Sequence, residues 1–139
     1  MAEIQLKWQK GMAFEVEQDN HKFMLDTEPA SGGKALGVRP KALLLSALAG
    51  CTGMDVVSIL KKMKIEDYNL RIHVEGDSTE DHPKIYHTIR VNYFFSGNDL
   101  PEDKLRRAVE LSETKYCGVM AMLRKSADIS TIINIEKGV

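Results

Sequence analysis

The chain has 139 residues, 19 lysines and arginines against 20 aspartates and glutamates, and a formal net charge of −1, so it lacks the basic excess that nucleic-acid binding requires. A hydrophobic content of 43% suffices for one packed domain over residues 1–139 and excludes a disordered chain. Met1 to Trp8 carry no basic stretch followed by an apolar one, so no secretory signal is expected and a cytoplasmic setting is, where thiols stay reduced and a permanent disulfide is disfavoured.

Alternating apolar and polar residues predict short strands at residues 4–8, 14–17 and 21–25, broken at Lys10-Gly11 and at Asp19-Asn20, a small antiparallel meander. Residues 29–37 are Gly-rich but lack the Gly-Lys-Ser/Thr ending of a phosphate-binding loop, so they read as a flexible connector. Pro40 suits the first turn of a helix, where the amide it lacks would have no partner. The helix it opens runs to about residue 64. Residues 42–60 are apolar on nearly every face, which predicts burial on all sides. The segment is about long enough to cross a bilayer, but Ser46, Thr52, Asp55 and Ser58 interrupt it and Lys61, Lys62 and Lys64 end it. A buried core helix is the expectation.

Two longer strands follow at residues 68–76 and 84–95, with Leu70, Ile72 and Val74 alternating in the first and Ile85, Ile89 and Val91 in the second. Residues 98–103 open a helix with acidic residues at its start, continuing through Leu105, Ala108, Val109 and Leu111. A second helix begins near Cys117, and residues 128–136 close the chain as a strand. The order predicts an α+β fold, antiparallel sheets packed around a long buried central helix. One small sheet cannot cover a helix so uniformly apolar, so a second copy of the chain is expected to supply the rest, as an intimate homodimer.

Cys51 and Cys117 are the chain's two thiols. Cys51 lies in the apolar helix and is expected to be shielded from solvent. Cys117 lies where charged residues give way to an apolar segment, and a thiol at a helix start gains thiolate character from the exposed amides. Pro40, the Leu-rich run reaching Leu45-Ser46-Ala47-Leu48-Ala49-Gly50-Cys51-Thr52-Gly53-Met54-Asp55, and the later Glu110-Leu111-Ser112-Glu113-Thr114-Lys115-Tyr116-Cys117-Gly118-Val119-Met120 resemble the OsmC/Ohr family in order and spacing. The resemblance spans essentially the whole chain. It implies an intertwined α+β dimer with active sites at the subunit interface, and a thiol peroxidase reducing organic hydroperoxides. Cys51 would be the peroxidatic and Cys117 the resolving cysteine, with no cofactor beyond an external dithiol reductant. The apolar surroundings of Cys51 would favour a small hydrophobic hydroperoxide. Family peroxidases hold the thiolate with an N-terminal arginine and a glutamate just after the proline; here Lys41 and Ala42 follow Pro40, and no arginine precedes Arg39. Arg39, or Lys41, is then the candidate activating cation.

Asp55 lies one turn after Cys51, and Glu113 one turn before Cys117 if its helix extends back that far. Either could orient an activating base, although capping or surface roles are the simpler expectation. His73 and His87 fall in neighbouring strands, but no Cys-x-x-Cys or His-x-x-x-His spacing marks a metal site, and none is expected. Met54, Met63, Met120 and Met122 read as core filler. Two alternatives to a peroxidase are a non-enzymatic module binding an apolar small molecule, and a redox sensor whose disulfide alters a partner surface.

Overall fold

The computed structural model describes residues 1–138, which group into two compact units, Met1–Leu44 and the chain from Leu45 onward. In the first unit, β1 (Ile4–Trp8), β2 (Phe14–Gln18) and β3 (His21–Leu25) form the expected antiparallel meander. Asp19 and Asn20 both take positive φ, at 51° and 64°, and join β2 to β3 in a two-residue turn. Such a turn twists with its strands, and short polar side chains tolerate it.

The stretch expected to be a flexible connector is instead tied down. The Asp26 carboxylate accepts the backbone amides of Thr27 at 2.7 Å, Leu36 at 3.1 Å and Lys34 at 3.2 Å. These amides, that of Thr27 foremost, hold the Asp26 carboxyl below its ordinary range. Side chains at Gly33 and Gly37 would collide with the Thr27 and Met24 backbone, so the glycines serve close approach.

The second unit is built on α1 (Leu43–Lys62), β4 (Asn69–Ser78), β5 (Tyr86–Gly97), α2 (Glu102–Leu111), α3 (Gly118–Leu123) and β6 (Asp128–Lys137). Pro40 stands in the turn ahead of α1, its carbonyl accepting the Leu43 amide at 3.1 Å. Lys61 and Lys62 close the helix, where cations suit the dipole. The sheet order is β4-β5-β6. β4 and β5 are antiparallel, but β6 runs parallel to β5, a departure from the expected antiparallel sheets. The cause lies in the connection: α2 and α3 carry the chain back to the end of the sheet where β5 began, as a parallel neighbour requires.

Central β5 faces the core with Ile89, Val91, Tyr93 and Phe95, and α1 lays Leu48, Thr52, Val56 and Leu60 into the same core, all fully buried. Each aliphatic side chain so buried contributes about 1.5–3 kcal/mol. Burial is one-sided, however. Met54 remains 76% and Val57 47% exposed, because one sheet covers one flank of α1. The methionines divide likewise: Met120 is core and Met63 half-buried, whereas Met54 and Met122 are exposed.

Candidate functional site

Along α1 the line of residues beside the buried stripe carries Cys51 and, one turn on, Asp55. From the opposite side Cys117 reaches them. The chain leaves α2 through a wide turn at Ser112–Tyr116, in which the Cys117 amide donates to the Ser112 carbonyl five residues back at 2.7 Å. Such widened turns recur at functional sites. Cys117 then caps α3, its Sγ accepting the Met120 amide at 3.4 Å. Cys51 Sγ, Cys117 Sγ and a carboxylate oxygen of Asp55 all lie within 4.8 Å of one another. Both cysteines are free thiols.

The environments of the two thiols differ. Cys51 is half-buried, more accessible than its apolar run implied, and Cys117 is buried at 4% exposure. The expectation of thiolate character at Cys117 is reversed. Burial pushes this thiol up to about 11, the hydrogen bond with Cys51 adds to the rise, and the Met120 amide opposes it only in part. Asp55 contributes further in the same direction. The short α3 supplies one amide to the sulfur, too little to outweigh its burial.

Behind the thiols runs a row of polar side chains, of which Asp55 and Glu113 were sequence candidates and Thr52, Tyr93, Ser112 and Thr131 were missed. Thr52 Oγ1 lies 2.7 Å from Tyr93 Oη and 2.8 Å from Ser112 Oγ. The Ser112 hydroxyl donates to Asp55 Oδ2 at 3.1 Å, and the Tyr93 hydroxyl donates to Glu113 Oε2 at 2.7 Å. Thr131 donates to the same Glu113 carboxylate at 2.7 Å, and Arg124 lies 3.8 Å from it. With the Tyr93 and Ser112 protons directed at the two carboxylates, the single Thr52 proton serves one neighbour at a time. Glu113 is therefore a packed member of this row, with its side chain 9% exposed, rather than a surface residue. A sequence signal existed: Thr52 and Ser112 are polar residues on otherwise apolar faces.

Arg39 belongs to the first unit, just after the bridge between Leu25 and Val38. It is exposed and has no ion pair among the described residues. His73 and His87 do not converge: His73 Nδ1 lies 3.4 Å from Glu75 and His87 Nδ1 2.8 Å from the Thr88 hydroxyl. A cleft of about 330 Å³ opens on Asp55, lined also by Ser58, Ile59, Lys62, Met63, Leu111 and Tyr116.

A family model described as OsmC-like protein matches residues 32–132, which include both cysteines. The chain belongs to the OsmC-like protein family. It is 33% identical over 129 residues to protein YhfA of Escherichia coli, across 92% of this chain and 93% of that protein. Among solved structures it resembles a hypothetical protein from Aquifex aeolicus, with a TM-score of 0.87 and 29% identity over 100% of this chain and 98% of the other. It also resembles the organic hydroperoxide resistance protein OhrB of Bacillus subtilis, with a TM-score of 0.65 and 19% identity over 96% and 98% of the two chains. That last likeness is one of fold. The OsmC-like fold accounts for α1 as well. Although long and apolar enough by composition to cross a membrane, it packs the Leu48, Thr52, Val56 and Leu60 stripe into an α+β core.

Proposed function

We propose that this OsmC-like protein is a thiol peroxidase that reduces small hydrophobic organic hydroperoxides. The observation that carries the reading is the separation of the Cys51 and Cys117 sulfurs, no more than 4.8 Å. The Cys51 thiolate attacks the terminal peroxide oxygen, the O–O bond breaks, and the departing alkoxide takes a proton to leave as an alcohol. Cys51 becomes a sulfenic acid. The Cys117 thiol condenses with it, releasing water and forming a disulfide that blocks over-oxidation. An external dithiol then returns both thiols. Half-buried Cys51 suits the attacking role and buried Cys117 the resolving one. Arg39 is the proposed cation favouring the Cys51 thiolate, and the proposed setting is cytoplasmic.

The proposed assembly is a homodimer. Met54 and Val57 of α1 are exposed and, with Gly50, Gly53 and the β4 residues Leu70 and Ile72, line a groove of about 650 Å³. A second copy of this chain would remove that surface from water. The direct test is turnover: reduced protein mixed with cumene hydroperoxide and excess dithiol should consume peroxide catalytically. If several organic hydroperoxides leave both thiols reduced, the peroxidase reading fails.

A further inference from the structure

Two sulfurs and a carboxylate gathered at one spot offer more than thiol chemistry. We propose that Cys51, Cys117 and Asp55 together bind one divalent cation of the zinc class per chain.

The donors lie within 4.8 Å of one another. A tetrahedral zinc ion with bonds of about 2.0–2.3 Å needs its donors roughly 3.5–3.8 Å apart, so closing the site takes about 1 Å of side-chain adjustment. Two thiolates with one carboxylate suit a borderline-soft cation and disfavour magnesium or calcium, which take oxygen ligands. Each flanking donor is already held from outside. The Ser112 hydroxyl donates to Asp55 Oδ2 at 3.1 Å and the Met120 amide to Cys117 Sγ at 3.4 Å, the kind of outer support that fixes ligand orientation. Asp55 also lines a cleft of about 330 Å³, which gives solvent access to the carboxylate side of the proposed site. On binding, the two thiols release their protons to solvent, no electrons move, and the dication offsets two of the three negative charges gathered there. Uptake therefore strengthens as pH rises. Cys51 and Asp55 come from α1 and Cys117 from the start of α3, so no Cys-x-x-Cys or His-x-x-x-His spacing marks the set.

The proposal is independent of peroxidase activity, and its readout is metal uptake. Reduced, metal-free full-length protein titrated with cobalt(II) should develop a sulfur-to-cobalt charge-transfer band that saturates at one equivalent and is displaced by zinc. Cys51→Ser and Cys117→Ser should each lose roughly half of the band, one thiolate of two, and bind at least about tenfold more weakly. Asp55→Asn should keep the thiolate band while weakening binding about tenfold. Protein oxidised to the disulfide should take up none. Circular dichroism confirms that each variant is folded. Failure of the reduced wild type to saturate, or uptake unchanged in folded Cys117→Ser or Asp55→Asn, would overturn the proposal.

Discussion

Cys51 on α1 and Cys117 at the start of α3 hold their sulfurs within 4.8 Å of one another, although α2 and two strands of sheet separate them in the chain. Oxidation by a hydroperoxide should therefore remove both thiols together and yield an intramolecular disulfide, reversed by dithiothreitol. Cys51→Ser should abolish peroxide consumption. Cys117→Ser should consume about one equivalent and then stall as sulfenic or over-oxidised acid, read by mass spectrometry.

Stability of the reduced protein should fall as pH rises through the alkaline range. The Cys117 thiol is held up at about 11 against an ordinary value of 9.0, by burial first and then by the Cys51 hydrogen bond. A group raised on folding contributes stability that is fully present below its unfolded value and lost as pH passes its native one. The window is thus about pH 9 to 11. Thermal melts across it should show a smaller decline for Cys117→Ala than for wild type. Tyr93, also raised mainly by burial and only in the last place by Cys117, persists in both proteins, so the difference reports chiefly on the thiol.

Removing the Thr52 hydroxyl tests the buried row. Thr52→Val preserves volume but withdraws a partner from Tyr93 and Ser112, which keep their carboxylate acceptors. Urea denaturation should give a loss of about 1–2 kcal/mol. No measurable loss would mean that the short contacts add nothing net to folding.

A carboxylate placed on the uncovered flank of α1 tests assembly. Val57→Asp leaves the buried stripe untouched and sets a charge where the second copy is proposed to pack. Sedimentation at micromolar concentration should give a dimer for wild type and a monomer for the variant. A wild-type monomer would refute the dimer.

Arg39→Ala should lower kcat/KM for hydroperoxide at least roughly tenfold, about 1.4 kcal/mol of barrier, without changing urea stability, since Arg39 is exposed and has no ion pair among the described residues. An unchanged rate would remove Arg39 from the site.

Much of the fold was legible because local pattern and final structure agree. The alternation in β4 and β5, the turn at Asp19-Asn20 and the length of α1 each follow from residues a few positions apart. The direction of β6 was not legible, since it depends on where the crossover through α2 and α3 sets the chain down. The pairing of Cys51 with Cys117 came from the family resemblance that their two motifs carry, not from any local pattern. The titration of Cys117 was misread because helix position is local, whereas the burial that outweighs it comes from distant elements. For the same reason Thr52, Tyr93, Ser112 and Thr131 went unseen as a row: no spacing rule joins α1, β5, the wide turn and β6.

The wide turn at Ser112–Tyr116 has a rotational meaning. An α-helix advances about 100° per residue, so one additional residue in a turn resets the direction in which everything downstream points. Ser112 keeps the phase of α2 and faces Thr52 and Asp55, while Cys117 emerges on a new phase and faces Cys51. Deleting one residue from the turn would keep Cys117 near the site yet swing its sulfur aside by about a quarter turn. The approach of the two sulfurs is thus set by angular register, and a chain that lost only that register could retain both cysteines, both helices and the sheet while losing the juxtaposition on which the proposed chemistry depends.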